Sequence, residues 1–123
     1  MNQVYDIGKT LLETVSKEQI EDLLRAIRKC EWAYQEESDA KLIRIICRDE
    51  IAIGGALRYL RQQWPEVCLA AIRQSGFNLE WCKKQTKEMI QEAAKDIGWV
   101  EVRKCVKSKR LQAWCSRERK LRE

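Results

Sequence analysis

The chain has 123 residues, with 24 Lys and Arg against 19 Asp and Glu, six Cys and no His. That length suits one domain able to bury a core without disulfides or metal to hold it, and 45% apolar with 35% charged residues excludes a disordered or membrane-embedded chain. One proline and five glycines are few for the many tight turns of an all-β protein, and no run nears the roughly 18–20 apolar residues of a membrane span.

The N-terminal stretch MNQVYDIGKTLLETV has no basic region followed by an apolar block, so no signal peptide is expected and the expected compartment is the cytoplasm. Residues 4–15 read as a short helix with Val4, Leu11, Leu12 and Val15 on one face and Gly8 weakening it. Ser16 and Gln19 form a capping-box pair. From there Ile20, Leu23, Leu24, Ile27 and Cys30 recur at spacings of three and four, which predicts an amphipathic helix over about 17–35.

The polar break QEESD follows at 35–39. Ser38 or Asp39 caps the next helix, which carries Leu42, Ile43, Ile46 and Cys47 and is expected to run to about Ile53, ended by Gly54-Gly55. Glu36, Glu37 and Asp39 lack the spacing of a calcium loop and read as a solvated loop. Asp49 and Glu50 sit oddly inside an apolar helix, with Arg48 or Arg73 as the expected partner. A short helix is predicted over 56–64, bearing Leu57, Leu60 and Trp64. Pro65 suits the first turn of the next helix, which runs to Gly76. Asn78 is expected to cap a short helix bearing Leu79 and Trp81. Thr86 caps another, with Met89, Ile90, Ala93, Ala94 and Ile97, ended by Gly98. Residues 99–123 read as one or two helices with Val102, Val106, Leu111, Trp114, Cys115 and Leu121 as apolar positions.

Gly54, Gly76 and Gly98 stand 22 residues apart. Shifting the chain by 22 aligns Ile45, Val67 and Met89; Ile46, Cys68 and Ile90; Leu57 and Leu79; Tyr59 and Trp81; and Ala71 with Ala93. A degenerate repeat over 41–107 follows, with stacked units of helix, glycine turn and shorter helix. The pattern, closest in VCLAAIRQSGFNLEW and MIQEAAKDIGWVEV, resembles an uncharacterised family of short helical repeats. In its units an alanine and an apolar residue precede the glycine, and a leucine and then an aromatic or alanine follow it. The first copy puts Asp49 where the family has alanine, and the third has Glu101 where it has leucine. The resemblance implies a helical-repeat fold and a binding role and carries over no functional residues.

The expected architecture is therefore all-α, a small single-domain bundle of about six to eight short helices. It comprises N-terminal helices over 1–40, the repeat-like core over 41–107 and a basic C-terminal helix over 108–123. The cysteines form no C-x-x-C pair and read as buried free thiols in a reducing compartment; no metal or cofactor is expected. With no histidine, Cys–His and Ser–His nucleophiles are impossible, and no carboxylate pair or phosphate loop stands out, so an enzyme is not expected.

Charge is concentrated at the end. Residues 1–100 hold 15 Lys and Arg and 16 Asp and Glu, a net of −1, whereas 101–123 hold nine and three, a net of +6. The leading expectation is a small binding or inhibitory protein with a protein partner, of the kind a phage or mobile element carries as an accessory factor. The alternative is a nucleic-acid-binding protein using 101–123, where cations and an interleaved tryptophan can neutralise phosphates and stack on bases. The candidate contact residues are Trp81, Trp99, Arg103, Lys104, Lys107, Lys109, Arg110, Trp114, Arg117, Arg119 and Lys120, with Trp99 and Trp114 the first candidates for exposure.

Overall fold

The computed structural model describes residues 6–123, and within them the chain is all-α, with six α-helices, three 3-10 turns and no strand. The helices are α1 (Ile7–Thr14), α2 (Lys17–Cys30), α3 (Asp39–Cys47), α4 (Pro65–Gln74), α5 (Lys87–Cys105) and α6 (Lys109–Arg122). The 3-10 turns are Trp32–Tyr34, Gly54–Tyr59 and Gly76–Trp81. Val4, expected in the first helix, lies outside the described residues.

The local signals act as elementary chemistry requires. Ser16 accepts from the Gln19 N–H while the Gln19 side chain accepts from the Ser16 N–H, a complete capping box. Ser38, Thr86 and Ser108 each accept from the N–H three residues on, at the starts of α3, α5 and α6. Pro65 opens α4, where its missing N–H leaves no bond unmade. α2 turns Leu23, Leu24, Ala26 and Ile27 inward; each buried Leu or Ile contributes roughly 1.5–3 kcal/mol relative to exposure.

Three boundaries differ from expectation. α2 stops at Cys30, and Trp32–Tyr34 form a separate 3-10 turn that leaves Trp32 82% exposed. α3 stops at Cys47 because Asp49 takes a positive φ of 54°. Its carboxylate then accepts from the Gly8 N–H at 2.7 Å and the Ile7 N–H at 3.3 Å, capping α1 from across the fold. Arg73, one of its expected partners, reaches Glu92 instead. Finally, the segments after Gly54 and Gly76 are 3-10 turns rather than helices, and Asn78 sits inside one, donating to the Ala71 carbonyl at 2.8 Å.

The two turn glycines are there for closeness. A Cβ on Gly54 would lie 2.2 Å from the Asn78 side chain, and one on Gly76 would lie 2.8 Å from the Ala93 carbonyl oxygen. Gly8 is tighter still, its missing Cβ falling on the Ile46 carbonyl; it lets α1 lie against α3. Gly98 alone among the described glycines has positive φ, 83°, and its non-helical backbone ends the first of two helical segments within α5, as expected.

The period of 22 is visible in space. α4, α5 and α6 begin at residues 65, 87 and 109, and the turns after Gly54 and Gly76 are also 22 apart. Equivalent glutamines bind equivalent backbone. Gln63 donates to the Leu57 and Trp81 carbonyls and accepts from the Lys83 N–H. Gln85 donates to the Leu79 and Cys105 carbonyls and accepts from the Lys107 N–H. One layer earlier two residues divide this role. Asp22 accepts from the Arg61 N–H, and Arg25, ion-paired to Asp22, donates to the Tyr59 carbonyl. The interval of helix starts continues to α6, at residue 109. The first copy is irregular, since α3 starts at Asp39. The core runs continuously through the layers, from Leu11 and Leu23 through Ile53, Leu57 and Ile72 to Ile90, Val102 and Cys115.

Candidate binding surface

The C-terminal end of the stack is built from α5 and α6. The kink at Gly98 swings Trp99 against α6, where its ring meets Trp114 edge-on, with centroids 5.7 Å apart and planes at 78°. Both tryptophans are half-buried, packed against the core. The exposure expected of Trp99 and Trp114 falls instead on Trp32 and on Trp81, which is 39% exposed.

The aromatic pair divides the surface. On one side Lys87, Arg110, Leu111, Trp114 and Arg117 line a cleft of about 170 Å³. Arg110, Trp114 and Arg117 share a face of α6 because they are four and three residues apart, and Lys87 comes from the first turn of α5 with its Nζ 5.3 Å from the Trp114 ring centre. The cleft contains three cations and no carboxylate, and none of the three is ion-paired among the described residues. On the other side Arg122 covers Trp99 at 4.8 Å and bonds to Glu118, within a cleft of mixed charge that includes Glu88, Glu92 and Lys95.

The remaining expected site residues divide accordingly. Lys107 and Lys109 are exposed beside the basic cleft, in the connection to α6 and at its first residue. Arg103, Lys104 and Lys120 are exposed on the helices, Lys104 paired with Glu101 at 3.1 Å; Arg119 pairs with Glu123 at 3.2 Å. Trp81 stands apart, at the end of the Gly76–Trp81 turn, with the Arg58 guanidinium 4.9 Å from its ring centre. Sequence reasoning missed Lys87. The period offered the clue, because Lys87 and Lys109 hold the same place in successive units.

Elsewhere the chemistry is structural. The acidic run at 36–39 is occupied internally: Glu37 pairs with Lys41, Asp39 with Arg28, and Ser38 caps α3. Cys68, Cys82 and Cys115 are buried, the other three half-buried, and all six are free. Burial pushes the thiols of Cys30, Cys105 and Cys115 above their ordinary value. The neighbouring Cys68 thiol, reinforced by burial, pushes Cys82 up. Protonated thiols are poor nucleophiles and poor metal ligands, and no cluster of three or more metal-ligating side chains occurs among the described residues. No helix among them is long and apolar enough to cross a membrane.

Comparison with known family models, curated proteins and solved structures gives no match.

Proposed function

We propose that this chain is a non-enzymatic helical-repeat protein that binds nucleic acid through its basic C-terminal end. The observation that carries the reading is the cleft in which Lys87, Arg110 and Arg117 surround the Trp114 ring with no neutralising carboxylate. Unpaired cations beside an aromatic face offer phosphate neutralisation and base stacking together. The net charge of +6 over residues 101–123 extends the same field. Six free thiols suit a reducing compartment such as the cytoplasm.

The test is fluorescence anisotropy of a labelled single-stranded oligonucleotide against the purified protein, across a range of salt. Binding that weakens steeply with salt, and about tenfold or more for Arg110→Glu/Arg117→Glu, is expected. No binding at about 50 mM salt would overturn the proposal.

One observation favours a protein partner as a second reading. Phe77 and Trp81 are both exposed on the Gly76–Trp81 turn, 51% and 39%, and exposed aromatics are enriched among interface anchors. That reading expects a partner retained after nuclease treatment and lost with Phe77→Ser/Trp81→Ser.

A further inference from the structure

We infer that the nucleic acid is single-stranded and that its path leaves the Trp114 cleft and continues along the edge of the stack over Lys107, Lys84 and Lys83, ending before Arg61. This rests on the nucleic-acid reading and assigns its second contact region.

The glutamine clamps are the basis. Lys83 and Lys107 each follow by two residues a carbonyl held by a clamp, and each donates its own N–H to the same glutamine, at 2.7 Å and 2.9 Å. Their backbones are thereby fixed to the layer before, one layer apart, on the same edge. Packed helices lie about 8–10 Å apart, which sets the interval at which the backbones carrying the two cations recur. Both are exposed, as is Lys84, and none of the three has an ion-pair partner among the described residues. Lys107 stands three residues from Arg110, so the edge runs directly into the cleft.

Arg61 holds the equivalent place in the first layer, its N–H bonded to Asp22. There the setting differs: Arg61 lines a cleft with Glu18, Glu21, Asp22 and Arg25. Carboxylates outnumber cations there, three to two, whereas none borders the Lys87–Arg110–Arg117 cleft, so phosphate is less favoured in the layer of Arg61. The cationic path has a defined end.

The occupant follows from the geometry of the path. It passes from loops that project from the stack edge to a tryptophan in a cleft. Trp114 accepts a base only from a strand whose bases are unstacked, and a flexible strand follows a path that turns from the edge into the cleft. A duplex presents its bases already stacked and paired.

The experiment measures anisotropy with fluorescent single-stranded oligonucleotides of increasing length, a duplex of the same sequence, anionic phosphatidylserine vesicles and a poly-glutamate peptide. Four proteins are compared: wild type, Lys83→Ala/Lys84→Ala, Arg61→Ala and Arg110→Glu/Arg117→Glu. The single strand is expected to bind more tightly than the duplex, the vesicles or the peptide. Lys83→Ala/Lys84→Ala is expected to lower the salt slope by roughly 1.4, two phosphate contacts at about 0.7 each, and to abolish the gain in affinity on lengthening the strand. Arg61→Ala is expected to leave both unchanged. If the cleft variant loses binding while Lys83→Ala/Lys84→Ala behaves as wild type, the path is wrong and the nucleic-acid reading stands. An Arg61→Ala loss equal to that of the lysine pair refutes the end point. Equal or tighter binding to duplex, vesicles or peptide refutes the single-stranded occupant. Failure of every nucleic acid to bind the wild type refutes both readings together.

Discussion

Gln63 and Gln85 stand 22 residues apart and make the same three bonds: the amide nitrogen donates to two carbonyls and the amide oxygen accepts from one backbone N–H. A neutral amide is the side chain that both donates twice and accepts. The first layer reproduces that capacity with two charged residues, Asp22 accepting and Arg25 donating. The layers are joined by hydrogen bonds with specific geometry as well as by apolar contact.

Gln85→Leu is accordingly expected to destabilise the protein by about 1–3 kcal/mol, because it strands two partly buried carbonyls and an N–H. Gln85→Glu is expected to cost at least as much, since a carboxylate faces both carbonyl oxygens without a donor. Urea denaturation reads both. Amide exchange should localise the effect to Lys107 and the start of α6; a Lys107 amide exchanging as slowly as in wild type would refute the clamp.

Gly76 and Gly98 make opposite demands. At Gly76 an added Cβ meets the Ala93 carbonyl at 2.8 Å, so Gly76→Ala forces α5 away from the turn and is expected to cost about 1–3 kcal/mol. At Gly98 a Cβ meets nothing within 4 Å, but the backbone stands at φ 83°. With ψ at 163° as well, this is a backbone region essentially confined to glycine, and Gly98→Ala is expected to cost about 1–3 kcal/mol from backbone strain alone. A β-branched residue is strained further at this φ, so Gly98→Val is expected to be worse than Gly98→Ala in the urea midpoint. Equal midpoints would argue against the conformation at Gly98.

These positions show what the sequence disclosed. The caps at Ser16, Ser38 and Thr86, the proline at the head of α4 and the interval of 22 are legible because each is a local or periodic property. The 3-10 turns read as helices in the sequence because Leu57–Leu60 and Gly76–Leu79 spacings of three satisfy either geometry. Asp49 reads as an anomaly inside a helix; its carboxylate caps α1, more than 40 residues earlier, and no local pattern encodes that. The candidate site is half legible. Charge density singles out Arg110, Trp114 and Arg117, whereas Lys87 joins them only through the packing of α5 on α6. Tryptophan exposure is not legible, because it depends on which ring finds a partner: Trp99 and Trp114 found each other.

The raised thiols of Cys30, Cys105 and Cys115 are expected to make stability fall in alkali. Below the unfolded thiol pKa of about 8.5 the thiols are protonated in both states, and the contribution of their burial is whole. As pH rises further the unfolded chain releases protons that Cys30, Cys105 and Cys115 keep when folded, since burial raises all three. The unfolded state gains and stability is lost as pH climbs through the raised values. Urea midpoints in the presence of a reductant are expected to drop between about pH 8 and 10. Cys30→Ala/Cys105→Ala is expected to flatten that drop while lowering the midpoint at neutral pH. An unchanged slope in this variant would remove the thiols as its cause.

The Trp99–Trp114 pair ties stability to binding. Edge-on aromatic pairs contribute about 0.5–1.5 kcal/mol beyond their burial, so a double-mutant cycle of Trp99→Leu and Trp114→Leu should return a coupling in that range. Arg122 covers Trp99 from the mixed-charge side, and Lys87 sits over Trp114 on the basic side. Of the two rings only Trp114 lines the basic cleft, so it meets the proposed ligand once Lys87 gives way. Titration with a single-stranded oligonucleotide should quench the intrinsic fluorescence of wild type and of Trp99→Leu, while Trp114→Leu should lose most of the quench and bind more weakly. Full quenching in Trp114→Leu, together with its loss in Trp81→Leu, would move the stacking site to the Gly76–Trp81 turn. Arg58, now over the Trp81 ring, would then have to give way to the incoming base.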